Sequence, residues 1–252
     1  MHPKFEVCFD DSQSFSFSVS TSKQIIFLPL SSLYYVWVVS CVSWSLYKKY
    51  KKANCQGKEL ADKDIFTERK LLEDCKVNIS SSLNDKKFDL HVDYIDAESI
   101  SVGDELFLCA MAWIMLHEIG HLKLEHTDGE YSQSLQEEVD ADSFATDFVF
   151  DENTLPSQFI KRFSGSLLAL VTILDQESSD DGGNRSHPHA SARIERMFKS
   201  TQCDDEKSVV IVFPLLLLFY YNKKGVPPDI DDSGTNDYID FVFDVLLQYV
   251  RD

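Results

Sequence analysis

Positive charge is scarce in this chain: 24 Lys and Arg residues stand against 42 Asp and Glu, a formal net charge of -18 over 252 residues. A nucleic-acid groove needs the opposite balance. The single basic cluster, Lys48, Lys49, Lys51 and Lys52, is too short to build one and reads as the cationic end of a helix. No nucleic-acid partner is expected. Paired cysteine spacing is also missing, since Cys8, Cys41, Cys55, Cys75, Cys109 and Cys203 are scattered and Cys109 sits inside an apolar run. Reduced thiols in a cytoplasm account for that most simply. Met1 to Asp11 lacks the charged-then-apolar order of a signal peptide, so export is not expected. An uninterrupted membrane span is lacking too: Ile25 to Tyr47 is uncharged for long enough, but Pro29 divides it and five serines dilute it. A strand running into a buried helix is the favoured reading of that stretch over a membrane anchor.

What is present is apolar material for one core: 44% of residues are hydrophobic and 12% aromatic. We expect one domain over 1–252, α+β in class and predominantly helical. Residues 1–30 alternate (Phe5, Val7, Phe9, then Phe15, Phe17, Val19) and predict a small antiparallel sheet. Lys87 to Ile95 reads as a further strand. Helices are expected over Leu30–Lys52, within Gly57–Lys76, from Val102 through His117 with Ser101 or Asp104 as start signals, and over Ser134–Phe150 and Leu155–Leu174. Others are expected over Pro188–Lys199, Ser208–Tyr221 and Tyr238–Val250. The segments Gln176–Ser186 and Pro227–Asp237 are rich in Asp, Ser and Gly and read as loops.

The run His117-Glu118-Ile119-Gly120-His121 is an HExxH on a helix. At about 100° per residue the two imidazoles stand roughly 40° apart on one face, so they can share one metal ion. Glu118, about 100° round from His117, can reach a water at that ion as general base without ligating it. Gly120 leaves space beside the metal. The bland alternative is two core histidines held by hydrogen bonds with no metal. The next helix argues against it, because Glu138 points along the middle of its apolar face and Asp142, about 40° away, points with it. A carboxylate there needs a cation, and a metal supplies it. Glu138 is therefore the expected third ligand, with Asp142 behind it orienting one histidine, although the two acids can exchange roles. The ion is expected to be Zn2+. His126 does not fit the register of a third histidine ligand, which would fall at Thr127, and reads as a helix-end or surface residue. Ser186-His187-Pro188-His189 opens a helix with proline in its first turn. Either His187 or Arg193 can steady a developing oxyanion or clamp the carboxylates, and a simple helix start explains the segment equally well.

Over Asp104 to Phe150 the chain resembles the Lit-type phage-exclusion peptidases, HExxH enzymes of the gluzincin kind. The resemblance rests on ELFLCAMAWIMLHEIGH and QEEVDADSFATDFV in order and spacing, and extends weakly to Leu33–Tyr50, Pro188–Ile194 and Val209–Tyr221. A broader similarity to HtpX-like membrane gluzincins rests on the HExxH, the ExxAD at Glu138 to Asp142 and the His-Pro with a later Arg-Ile. The resemblance implies a zincin-like core, in which the HExxH helix packs on a Glu-bearing helix within 102–200. It also implies proteolysis of a protein inside the cell. In the family's best-known member the target is translation elongation factor Tu and a phage capsid-protein segment is the trigger, which makes a phage-protein activator an expected partner. The first thirty residues and the acidic Gln176–Ser186 loop depart from the family pattern. Two rival readings stand beside the peptidase: a zinc-containing sensor that binds without cutting, and a membrane-anchored HtpX-like enzyme.

Overall fold

Asp96 sets where the longest helix begins. Its carboxylate accepts the backbone N–H of Ser99 at 3.1 Å and the Ser99 hydroxyl at 3.0 Å, which satisfies donors that a helix start leaves open. Helix formation therefore starts at Ala97, ahead of the Ser101 and Asp104 signals expected from sequence. The computed structural model describes residues 4–10, 16–58, 60–80, 94–126, 131–151, 153–177, 188–204, 206–229 and 238–250.

Among these residues the chain forms a three-stranded sheet and eight α-helices: β1 (Glu6–Asp10), β2 (Ser18–Ser20), β3 (Ile25–Pro29), α1 (Leu30–Cys55), α2 (Asp62–Ser80), α3 (Ala97–Lys123), α4 (Tyr131–Val149), α5 (Pro156–Gln176), α6 (Ala190–Thr201), α7 (Phe213–Lys224) and α8 (Tyr238–Val250). The class is α+β and predominantly helical. Each expected helix is present, with ends shifted by a few residues. The strand expected over Lys87–Ile95 lies outside the described residues apart from Tyr94 and Ile95, which lead into α3. The two expected loops fall largely outside them as well.

The sheet corrects one expectation. It is mixed: β3 lies in the middle, antiparallel to β2 but parallel to β1, with Val7 beside Ile26 and Phe9 beside Leu28. Alternation fixes which face a residue takes, not which strand lies next to it. β1 and β2, neighbours in sequence, therefore lie on opposite edges of the sheet with β3 between them. As an edge strand β1 leaves Val7 and Phe9 exposed. Ile25–Tyr47, the stretch weighed as a membrane span, is divided at Pro29 into β3 and α1, and Ser31, Ser32, Ser40, Ser43 and Ser45 are all buried inside the protein. Among the described residues one helix, α3, is long and apolar enough by length and composition to cross a membrane.

α3 is the axis of the packing, with α1, α4 and α5 laid against it. Two of these contacts are backbone-close. A methyl group at Gly103 would stand 2.7 Å from the Cα of Cys41 on α1, and one at Gly165 on α5 would meet Cys109 and lie 3.0 Å from the backbone nitrogen of Ala110. Glycine is thus required at both for the helices to approach this far. Behind α3, Asp175 on α5 accepts a hydrogen bond from the Tyr35 hydroxyl on α1 and pairs with Lys76 on α2 at 2.7 Å. The side chain of Asp175 is buried, and its contacts with Tyr35 and Lys76 join three helices at one point. The six cysteines are free thiols.

Candidate metal centre

α3 and α4 meet where the HExxH lies. On α3, Nε2 of His117 is 3.2 Å from Nε2 of His121. From α4, Oε2 of Glu138 stands 3.2 Å from the first of these nitrogens and Oε1 stands 3.3 Å from the second. One ligand atom from each residue lies within 4.8 Å of the others. Four donors set tetrahedrally round zinc at about 2.0–2.1 Å are separated by roughly 3.3 Å, so the residues fit that ion in both donor type and spacing. His117 and Glu138 are buried and His121 nearly so.

Gly120 explains why α4 comes this close, and not in the way expected from sequence. A methyl group there would stand 3.1 Å from the Cα of Ala141 and 3.3 Å from Cδ1 of Phe144. The space left by the missing side chain is taken by the backbone of α4, one turn from Glu138. The buried stripe of α4 runs Glu138, Ala141, Asp142, Ala145, Thr146 and Val149, while Leu135 and Phe148 are exposed.

Behind the three donors stands a second layer of contacts. Oδ1 of Asp142 lies 2.9 Å from Nδ1 of His117. Arg193 on α6 grips the same carboxylate from the other side, Nη2 donating to Oδ1 at 2.7 Å and Nε to Oδ2 at 2.9 Å. Its guanidinium also lies over the Trp113 ring, which stacks on His117. Of the two roles open to Arg193 from sequence, the structure brings it to the carboxylate. His187, its rival, lies outside the described residues. The helix that follows begins at Ala190 with His189 as N-cap, so Pro188 precedes the helix instead of opening it.

His126 makes a contact that the sequence did not foretell. It is at a helix end but 9% exposed, and its Nδ1 is 2.9 Å from Nδ1 of His121. The positions flanking a helix end carried the signal: Leu124 caps α3, Glu125 turns left-handed at φ +57°, and the N–H of His126 donates to the carbonyl of His121 at 3.0 Å. That closure stacks the residue two past the cap on the last turn.

Charge in the site follows these contacts. Burial would push the His117 imidazole down, but the carboxylates of Asp142 and Glu138 outweigh it and carry its pKa up to about 9. Burial pushes the Glu118 carboxyl up against the pull of His117 and His121. Asp142, although buried, is held below the usual carboxylate range by Arg193 and His117. Burial and neighbouring His121 push the His126 imidazole down.

The sequence profile of the Peptidase U49 family matches residues 26–213, a span that holds every donor just described and both residues of the Asp142–Arg193 pair. The chain belongs to the peptidase U49 family. The U49 span omits β1, β2, all of α7 but Phe213, and α8, so both sheet edges and the last two helices lie outside the matched region. The cell death peptidase of Escherichia coli (strain K12) is 28% identical over 192 residues, covering 73% of this chain. That alignment spans 64% of the relative's own length. No solved structure matches the U49 chain described here.

Proposed function

We propose that this chain is a zinc-dependent endopeptidase, with His117, His121 and Glu138 as ligands and Glu118 as general base. The observation that carries the reading is the set of three donor separations, 3.2, 3.2 and 3.3 Å, between two neutral-capable imidazoles and a buried carboxylate. Three protein ligands of the His2Glu type are one of the sets that catalytic zinc uses, with a position open to water and substrate. Membership in a peptidase family and the name of the relative support the same class of reaction.

When bound, zinc would supply a Lewis acid that acidifies water and polarises the scissile carbonyl. The residues of this chain do the rest. Glu118, one position from His117 and buried beside both histidines, takes a proton from the attacking water and hands it to the departing amine. Its pKa, raised by burial, makes it a stronger base than an exposed carboxylate. Asp142 fixes the ring of His117, and Arg193 neutralises Asp142 so that the site does not accumulate a third uncompensated negative charge. The proposed substrate is a protein inside the cell. Resemblance to the Lit-type enzymes makes translation elongation factor Tu the first candidate, with a phage polypeptide as trigger and a cytoplasmic location.

Purified protein should contain close to one zinc per chain. Cleavage of elongation factor Tu, or of proteins in a bacterial lysate scored by new termini, should be lost in Glu118→Gln with zinc retained, and lost together with zinc in Glu138→Ala. Equal zinc in wild type and Glu138→Ala would overturn the ligand set. A zinc-loaded wild type that cuts nothing with or without phage lysate would leave the sensor reading in its place.

A further inference from the structure

We propose that His126 is a positioning residue for the metal: it accepts a hydrogen bond from Nδ1 of His121 and thereby commits Nε2 of that ring to the ion. This inference rests on the zinc reading above.

Two ring nitrogens 2.9 Å apart share one hydrogen, so one imidazole donates and the other accepts. The direction follows from what surrounds His121. Its Nε2 faces Nε2 of His117 at 3.2 Å and Oε1 of Glu138 at 3.3 Å, the converging donors. Ligation there needs a lone pair on Nε2, which places the proton of the neutral ring on Nδ1. His126 must then offer the lone pair of its own Nδ1 and carry its proton on Nε2. The reverse assignment would aim an N–H of His121 into the donor set.

The chain trace is shaped to make this contact. α3 ends at Lys123, and Glu125 takes the left-handed conformation that a glycine normally supplies, at a cost in free energy for a residue with a Cβ. The resulting six-residue closure usually lays one apolar side chain on another. Here it lays one imidazole on another, with ring centroids 4.9 Å apart and planes at 77°. The two ligand histidines thus have unlike supports: a carboxylate for His117 and a neutral ring for His121. A neutral acceptor orients His121 without adding a charge to a site that already holds Glu118, Glu138 and Asp142.

The test compares His126→Phe, which keeps a ring in the pocket but has no acceptor, with His126→Asn, whose Oδ1 occupies the place of Nδ1. Zinc affinity is read by competition with a chromogenic chelator, on protein whose fold is checked by circular dichroism and urea unfolding. The Phe variant should bind zinc about 10- to 100-fold more weakly than wild type, the usual penalty for losing such a support, and the Asn variant should recover most of that loss. Phe binding as tightly as wild type, or Asn binding as weakly as Phe, would overturn the role of His126. A wild-type chain that takes up no zinc would instead overturn the metal reading itself, a result that no difference between the variants can produce.

Discussion

One oxygen of Asp142, Oδ1, stands 2.9 Å from Nδ1 of His117 and 2.7 Å from Nη2 of Arg193, so a single buried carboxylate supports a proposed metal ligand and is itself paired with a cation. Breaking a buried pair from one side strands the other charge, which costs about 3–5 kcal/mol. Arg193→Met should therefore destabilise the metal-free protein in urea unfolding, by less than that limit because His117 and, at 3.8 Å, Arg196 still face Asp142. Asp142→Asn should cost a similar amount and weaken zinc about 10- to 100-fold. The double variant should cost far less than the sum, because neither charge is then left alone. Additive losses would show that the two side chains act independently.

Gly120 lies on the turn of α3 that holds His117 and His121, against the backbone of α4. At 3.1 Å from the Cα of Ala141, a methyl group would force α4 outward by a few tenths of an ångström and carry Glu138 with it. Alanine also gains about 1 kcal/mol in helix propensity, so Gly120→Ala should lose zinc affinity by roughly tenfold while unfolding at nearly the wild-type urea concentration. Gly165→Ala is the control. It meets Cys109 and the backbone of Ala110 far from the site, and should destabilise by about 1–3 kcal/mol with zinc affinity unchanged.

How far the site was legible depends on what each residue's signal was. The helical spacing of His117 and His121 and the angular position of Glu138 and Asp142 on the apolar face were sufficient to place four side chains, because a helix converts sequence separation into direction without reference to the rest of the fold. The partner of Asp142 was not decidable, since Arg193 arrives from α6 by tertiary packing and sequence left it two roles. His126 lies at a helix end, as read from sequence, but its contact with His121 was not foreseen, because it depends on the left-handed turn at Glu125. The sheet failed on the same ground: alternation along Phe5 to Val19 carries no information about whether β1 pairs with β2 or β3.

In the metal-free chain the His117 pKa of about 9 lies above its unfolded value of about 6.5. A raised imidazole pKa stabilises while the ring is protonated. Its contribution, on the order of 3 kcal/mol, is fully present below about pH 6.5 and fades as pH climbs towards 9. Urea unfolding of chelator-treated protein should show that decline, and Asp142→Asn should flatten it. Zinc displaces the same proton, so zinc affinity should strengthen over this interval, and the loaded protein should lack the decline. A metal-free wild type of constant stability from pH 6 to 9 would contradict the charged His117–Asp142 pair.

Burial pushes the Glu118 pKa up and Glu138 adds to that push, which together outweigh the pull of His117, His121 and Arg193. A base held under these conditions weakens the fold it works in. Replacing it by the uncharged isostere removes the penalty without leaving a cavity. Glu118→Gln should therefore melt higher than wild type in the metal-free state, by an amount worth about 0.5–2 kcal/mol, while cleavage falls by about 10²- to 10⁴-fold. Zinc should shrink the difference in melting, because the cation offsets the carboxylate that glutamine lacks. A variant that melts lower with and without zinc would mean that the carboxylate serves the fold, and the assignment of Glu118 as the base would lose its physical motive.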